Sequence, residues 1–143
     1  MKIDFKYNFW GYLKPTYKPS GKLLRSWGNV GVSDVQRNFD TSGRNIYNTW
    51  KPLAESTIAK RKGGSNKPLI DTGQLSQSVS KKISGQDVYI TTNRIDKHGE
   101  NIAYNMNYGC KNGHVPAREF MKFSPSAIDN MISDQKKEAL NGN

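Results

Sequence analysis

Between residues 20 and 40 the apolar side chains fall at helical spacing: Leu23, Leu24, Trp27 and Val30, followed by Val35 and Phe39. A stripe on that period predicts an amphipathic helix, whose apolar side has to be covered by whatever the other residues build. Ser20 is a suitable N-cap, because its hydroxyl can accept one of the backbone N–H groups left open at a helix start. Gly28 and Gly31 oppose a continuous helix, each costing about 1 kcal/mol relative to alanine. A restart near Ser33-Asp34, itself good capping chemistry, is therefore expected.

The sequence beyond this helix supplies partners of both kinds. Asp40 to Gly73 is read as mostly loop, with turn chemistry at Asp40-Thr41-Ser42-Gly43 and a short helical stretch at Ser56-Thr57-Ile58-Ala59-Lys60. The cluster Lys60-Arg61-Lys62-Gly63-Gly64-Ser65-Asn66-Lys67 is expected to be flexible and exposed. Leu75, Val79 and Ile83 suit one face of either a helix or a strand, and a short helix entering a strand near Val79 is the favoured reading. Gly85-Gln86-Asp87 is a turn, and Val88-Tyr89-Ile90-Thr91-Thr92 suits a pleated surface, so a β-hairpin is expected. Asn93 to Asn101 reads as a charged loop, and Ile102 to Tyr108 as a compact aromatic segment ended by Gly109. Ser124 and Pro125 then mark the start of a C-terminal helix, with Ile128, Met131, Ile132 and Leu140 on its apolar face. The expected class is α+β: a small antiparallel β-sheet packed with an N-terminal and a C-terminal α-helix, with long loops.

Residues 1–19 stand apart as an extended aromatic and basic N-terminal arm before a single domain at 20–143. Phe5, Tyr7, Phe9, Trp10, Tyr12 and Tyr17 are interleaved with lysines, and Pro15 and Pro19 exclude a helix there. Two uses are open to such an arm: stacking on single-stranded nucleic acid, or laying its aromatics on its own core or a neighbouring subunit's. The second is favoured, and a reach to a neighbouring subunit is expected.

Only 34% of the 143 residues are apolar, which predicts a thin core and stability gained by docking on partners. Twenty-two basic against 12 acidic residues give a net charge of +10. That charge fits a solvated surface or an acidic partner, whether nucleic acid, a membrane surface or an acidic protein ring. The opening residues lack the apolar core of a signal peptide, and no run approaches a membrane span, so a cytoplasmic origin is expected.

Chemistry is sparse. Cys110 is the only cysteine, so no intramolecular disulfide can form. Cys110-x-x-x-His114 is half a zinc site at most, and His98 is the only other soft ligand. A phosphate-cradling loop is absent, since the glycines and lysine at 60–67 lack the required spacing. The carboxylates Asp87, Asp96, Glu100, Asp129, Asp134 and Glu138 fall in turns or on the solvated side of a helix, with no apolar setting to divide acid and base roles. No catalytic residue, cofactor or metal is expected.

Four segments carry a resemblance. They are Phe39 to Gly43 with Trp50-Lys51-Pro52-Leu53 and Ser56-Thr57-Ile58; Lys60-Arg61-Lys62-Gly63 leading to Pro68-Leu69-Ile70; Asp71-Thr72-Gly73-Gln74-Leu75 with Ser78-Val79; and Ile102-Ala103-Tyr104 to Tyr108-Gly109, then Val115 to Met121 and the closing helix. In this order and spacing, over about residues 20–140, they resemble the phage virion morphogenesis (tail completion) family of Mu-type neck and tail assembly proteins. Glu119 stands where such proteins often carry a second proline, and the arm 1–19 and loop 94–101 lie outside the resemblance.

The resemblance implies a structural virion protein that completes the tail or joins head to tail, present in host cytoplasm during assembly and in the virion afterwards. Its implied partners are copies of itself in a ring and neighbouring neck and tail proteins, with DNA only as passing cargo. Phe9, Trp10, Trp50, Pro52, Lys60, Arg61, Lys62, Thr72, Gly73, Pro116, Arg118 and Phe120 are the interface or structural candidates. Trp50 and Pro52 are expected to pin a loop to the core, and Asp71 or Thr72 to cap the turn at Gly73. Arg118 is expected to pair with a carboxylate, either across an interface or internally with Asp71 or Glu100. The competing reading is a basic nucleic-acid-binding module that uses Lys60, Arg61, Lys62 and the N-terminal aromatics.

Overall fold

The computed structural model describes residues 18–61, 66–69, 73–92, 94, 99, 101–110 and 115–141, together with the backbone of 3–7. Helix α1 runs unbroken over Gly21–Asp40, capped by Ser20, whose Oγ accepts the Leu23 N–H at 3.1 Å. The expected restart at Ser33-Asp34 does not occur. Gly28 and Gly31 are both buried, and a methyl group at Gly31 would sit 2.8 Å from two carbons of Ile90. The glycines let the sheet approach the helix closely, and that packing offsets their poor propensity. Asp34 is thereby placed in mid-helix, buried, instead of at a cap.

The sheet that α1 covers is antiparallel, in the order β1-β3-β2. Strands β2 (Ser80–Ser84) and β3 (Asp87–Thr92) form the expected hairpin, with Ile83 opposite Val88 and Lys81 opposite Ile90. Strand β1 (Ile3–Tyr7) pairs with the other edge of β3, Phe5 opposite Ile90. This stretch of the arm is therefore hydrogen-bonded to the protein's own sheet. Every residue of β2 is exposed, and its two lysines leave a charged edge that resists unwanted strand pairing.

Three further α-helices and a 3-10 turn at Arg44–Ile46 complete the described fold alongside the C-terminal helix. Short helices α2 (Glu55–Lys60) and α3 (Gln74–Gln77) fall where helical turns are expected, α3 leading into β2. The aromatic segment Ile102–Tyr108 is itself a helix, α4, capped by Asn101 and closed by Gly109 at φ 78°. Helix α5 (Pro125–Leu140) starts as expected, with Ser124 Oγ accepting the Ala127 N–H at 3.1 Å. Its buried line is Ala127, Met131 and Gln135, flanked by Ile128 and Ile132. Leu140 is 87% exposed, contrary to its expected place on the apolar face: the helix turns it outward, and Gln135 takes the inward line instead.

Two contacts lock α5 to α1. The Trp27 indole N–H donates to the Met131 carbonyl at 3.1 Å. Glu138 accepts the Ser20 backbone N–H at 3.1 Å and also the Ser20 hydroxyl, a carboxylate at a helix N-terminus where the dipole favours it. The core centres on Phe39, with Phe120 at 4.8 Å between ring centroids and Trp50 edge-on at 6.0 Å.

Candidate functional site

Residues 118–124 form an irregular segment, bent at Met121, that belongs to no sheet, so its backbone groups need other partners. Side chains supply most of them. Asn38 Nδ2 donates to the carbonyls of Phe120 at 2.7 Å and Lys122 at 2.8 Å. Asn107 Oδ1 accepts the N–H groups of Phe120 at 2.9 Å and Met121 at 3.0 Å. The Trp50 indole N–H donates to the Glu119 carbonyl at 3.2 Å, and the Arg118 backbone N–H to the Met106 carbonyl at 3.0 Å. At the far end the Asp34 carboxylate accepts the Ser124 N–H and hydroxyl, both at 2.7 Å, and Asn45 Nδ2 at 3.0 Å. Asn38, Asn107 and Asp34 are all buried. Sequence reasoning missed them, although Asp34 and Asn38 share the helical line of Trp27 and Gly31, where a polar residue signals a buried partner.

Arg118, at the start of this fixed segment, lines a cleft of about 880 Å³. Its floor is aliphatic: Leu53, Leu69, Leu75, Ile102, Met106 and Val115. Leu69 holds φ at 66°, a left-handed conformation that costs a branched side chain about 1–2 kcal/mol. Five cations line the cleft, Lys51, Lys60, Arg61, Arg94 and Arg118, and no carboxylate does so among the described residues.

Arg118 is the cation built into the wall, 6% exposed. Its Nε and Nη2 donate to the Lys51 carbonyl at 3.0 and 2.8 Å, and Nη2 also reaches the Pro52 carbonyl at 3.4 Å. The expected pairing with a carboxylate is not seen among the described residues, and Asp71 and Glu100 lie outside them. The guanidinium clamps the Trp50–Pro52 loop through backbone oxygens instead, because carbonyls are what that loop presents. Burial first, and then the like charge of Arg61, lower the Arg118 pKa. The sign means that the fold disfavours the charged form, at every pH below the arginine range.

The cleft brings together Pro52, Lys60, Arg61, Gly73, Pro116 and Arg118 of the twelve candidates. Trp50 and Phe120 are buried in the aromatic core, whereas Pro52, expected with Trp50 to pin the loop, is exposed. Phe9, Trp10, Lys62 and Thr72 lie outside the described residues, as do His98, His114 and the expected caps of Gly73. Arg61, expected to be exposed and flexible, is half-buried and donates to the Lys67 carbonyl at 2.6 Å. Its position against the cleft rim accounts for the difference.

Among the described residues no group of His, Cys, Asp and Glu is placed to hold a metal ion, and Cys110 is half-buried with its N–H donating to the Val115 carbonyl at 3.0 Å. Among them also, no helix is long and apolar enough to cross a membrane. Comparison with models of protein families, with curated proteins and with solved structures finds no match.

Proposed function

We propose that this protein is a structural component of a tailed-bacteriophage virion that acts in tail completion or head–tail joining, as a subunit of a ring, and not as an enzyme. The observation that carries the reading is convergence. Trp50 and Pro52, Gly73 and Leu75, Ile102, and Pro116 and Arg118 come from separate segments of the family resemblance, yet they meet around one core and one cleft. A surface assembled from distant loops on a small frame suits contact with other subunits. A ring needs two different patches per subunit, and the cleft is a separate surface open to a different partner.

The nucleic-acid reading gains less. Its basic residues Lys60 and Arg61 do lie on one rim, but the floor between the cations is aliphatic and, among the described residues, offers no ring on which a base could stack. The test is electron microscopy of particles produced without this protein. Separate, full heads and finished tails are expected; normally joined particles would overturn the proposal.

A further inference from the structure

We infer that the cleft between α2, α4 and residues 115–118 is a docking site for an acidic, aliphatic peptide segment of a different protein, with a carboxylate of that segment received at Arg118. The inference deepens the assembly reading and rests on it only for the statement that the donor of the segment is another virion subunit.

Three features choose the occupant. The first is Arg118, a guanidinium 6% exposed that gives Nε and Nη2 to carbonyl oxygens while Nη1 makes no hydrogen bond among the described residues. A charge removed from water with only neutral partners is costly to the fold, and an incoming carboxylate supplies the missing countercharge. The second is the rim: Lys51 and Lys60 are exposed, and together with Arg61 and Arg94 they put positive potential around the mouth. Such a field steers acidic partners and repels a protein of net charge +10, so a second copy is the wrong occupant. The third is the floor. Leu53, Ile102, Met106 and Val115 are half-buried and face the cleft, so an occupant gains by covering them with apolar side chains. Phosphate backbones have none to offer. A segment alternating aliphatic and acidic residues satisfies floor and rim together.

The assay uses the full-length purified protein and fluorescein-labelled octapeptides, read by fluorescence anisotropy at physiological salt. The probes are alternating leucine–glutamate, alternating leucine–glutamine, octaglutamate and a 20-base-pair DNA duplex. Saturable binding of the leucine–glutamate peptide is expected, at least about tenfold tighter than either peptide control. The double variant Lys51→Glu, Lys60→Glu changes two exposed side chains and leaves the fold alone; it should weaken that binding about tenfold or more. Lys22→Glu, exposed on α1, should not. Arg118→Met tests the anchor in the same assay, with thermal unfolding as the check that the protein still folds.

Equal binding of the glutamine peptide, no saturable binding at all, or tighter binding of DNA that the rim variants abolish would each overturn the inference. So would a wild-type protein that self-associates through this cleft, seen as monomers on sedimentation of the rim variants alone. The two proposals fail separately. If no peptide binds while particles made without the protein remain unjoined, the cleft inference falls and the assembly reading stands. If the peptide binds as expected while such particles join normally, the reverse holds.

Discussion

Replacing a glycine of α1 by alanine offers a measurement in which helix propensity and packing oppose each other. In an exposed helix the change gains about 1 kcal/mol. At Gly31 the new methyl carbon would lie 2.8 Å from Cδ1 and Cγ1 of Ile90 and 3.1 Å from Cε1 of Phe123. Ile90 is 1% exposed and Phe123 5%, so neither can swing into solvent, and the sheet has to move. Overpacking of that kind costs about 1–3 kcal/mol. The net expectation for Gly31→Ala is a loss of about 1 kcal/mol. At Gly28 the obstacle is the Lys81 stem, with Cδ at 2.5 Å and Cβ at 3.1 Å. Lys81 is exposed, held by a 2.5 Å hydrogen bond from its ammonium to Asn29 Oδ1, and its outer carbons can rotate away. Gly28→Ala should therefore be neutral or gain about 0.5 kcal/mol. Urea unfolding followed by circular dichroism gives both free energies, with unchanged m-values as the control. Should Gly31→Ala prove as stable as Gly28→Ala, the close approach of sheet to helix would be disproved as the reason for glycine at 31.

Asp34→Ala removes the acceptor of the Ser124 N–H and hydroxyl and of Asn45, leaving buried donors unpaired; a loss of about 2–4 kcal/mol in the same urea titration is expected, and a loss below half of that would show that water takes over the bonds. Trp50→Phe keeps an aromatic ring near Phe39 but strips the Glu119 carbonyl of its donor; it should cost about 1–2 kcal/mol, and a neutral result would remove the indole N–H from the account. Leu140→Ser alters a side chain 87% exposed and should shift stability by no more than about 0.5 kcal/mol; a larger loss would mean that the end of α5 packs against something.

Elements with strong local signals are legible in the sequence. Ser20 and Ser124 are recognisable caps, the Val88–Thr92 strand and its turn stand out by residue type, and the step from short helix to strand at Val79 follows from spacing. What stays hidden depends on contacts distant in sequence. Gly28 and Gly31 read as interruptions because propensity is local, whereas their benefit lies in Lys81, Ile90 and Phe123, which only the fold brings near. Leu140 reads as inward because an apolar residue at the end of a helix has no sequence mark to show that the core has already stopped. Part of the cleft is foreseeable, since six of its lining residues, Pro52, Lys60, Arg61, Gly73, Pro116 and Arg118, are candidates on sequence grounds. The partners of Arg118 are not, because carbonyl oxygens are carried by every residue and leave no trace in composition.

The same limit explains how a protein with 34% apolar residues fixes the segment that begins at Arg118. Residues 118–124 form neither strand nor helix, and a segment outside both has to find partners for its backbone groups elsewhere. Here Asn38, Asn107 and Asp34 perform that service from two helices, each fixing two groups of the segment. A strand partner would have occupied one whole edge of the segment. Point contacts from side chains hold it with fewer atoms, and Arg118 at its start is left with room on the cleft side while Phe120 and Met121 are fully buried. Rigidity on the inner side and accessibility on the outer side are what a binding surface requires, since ordering a loose wall would subtract from the affinity of whatever docks.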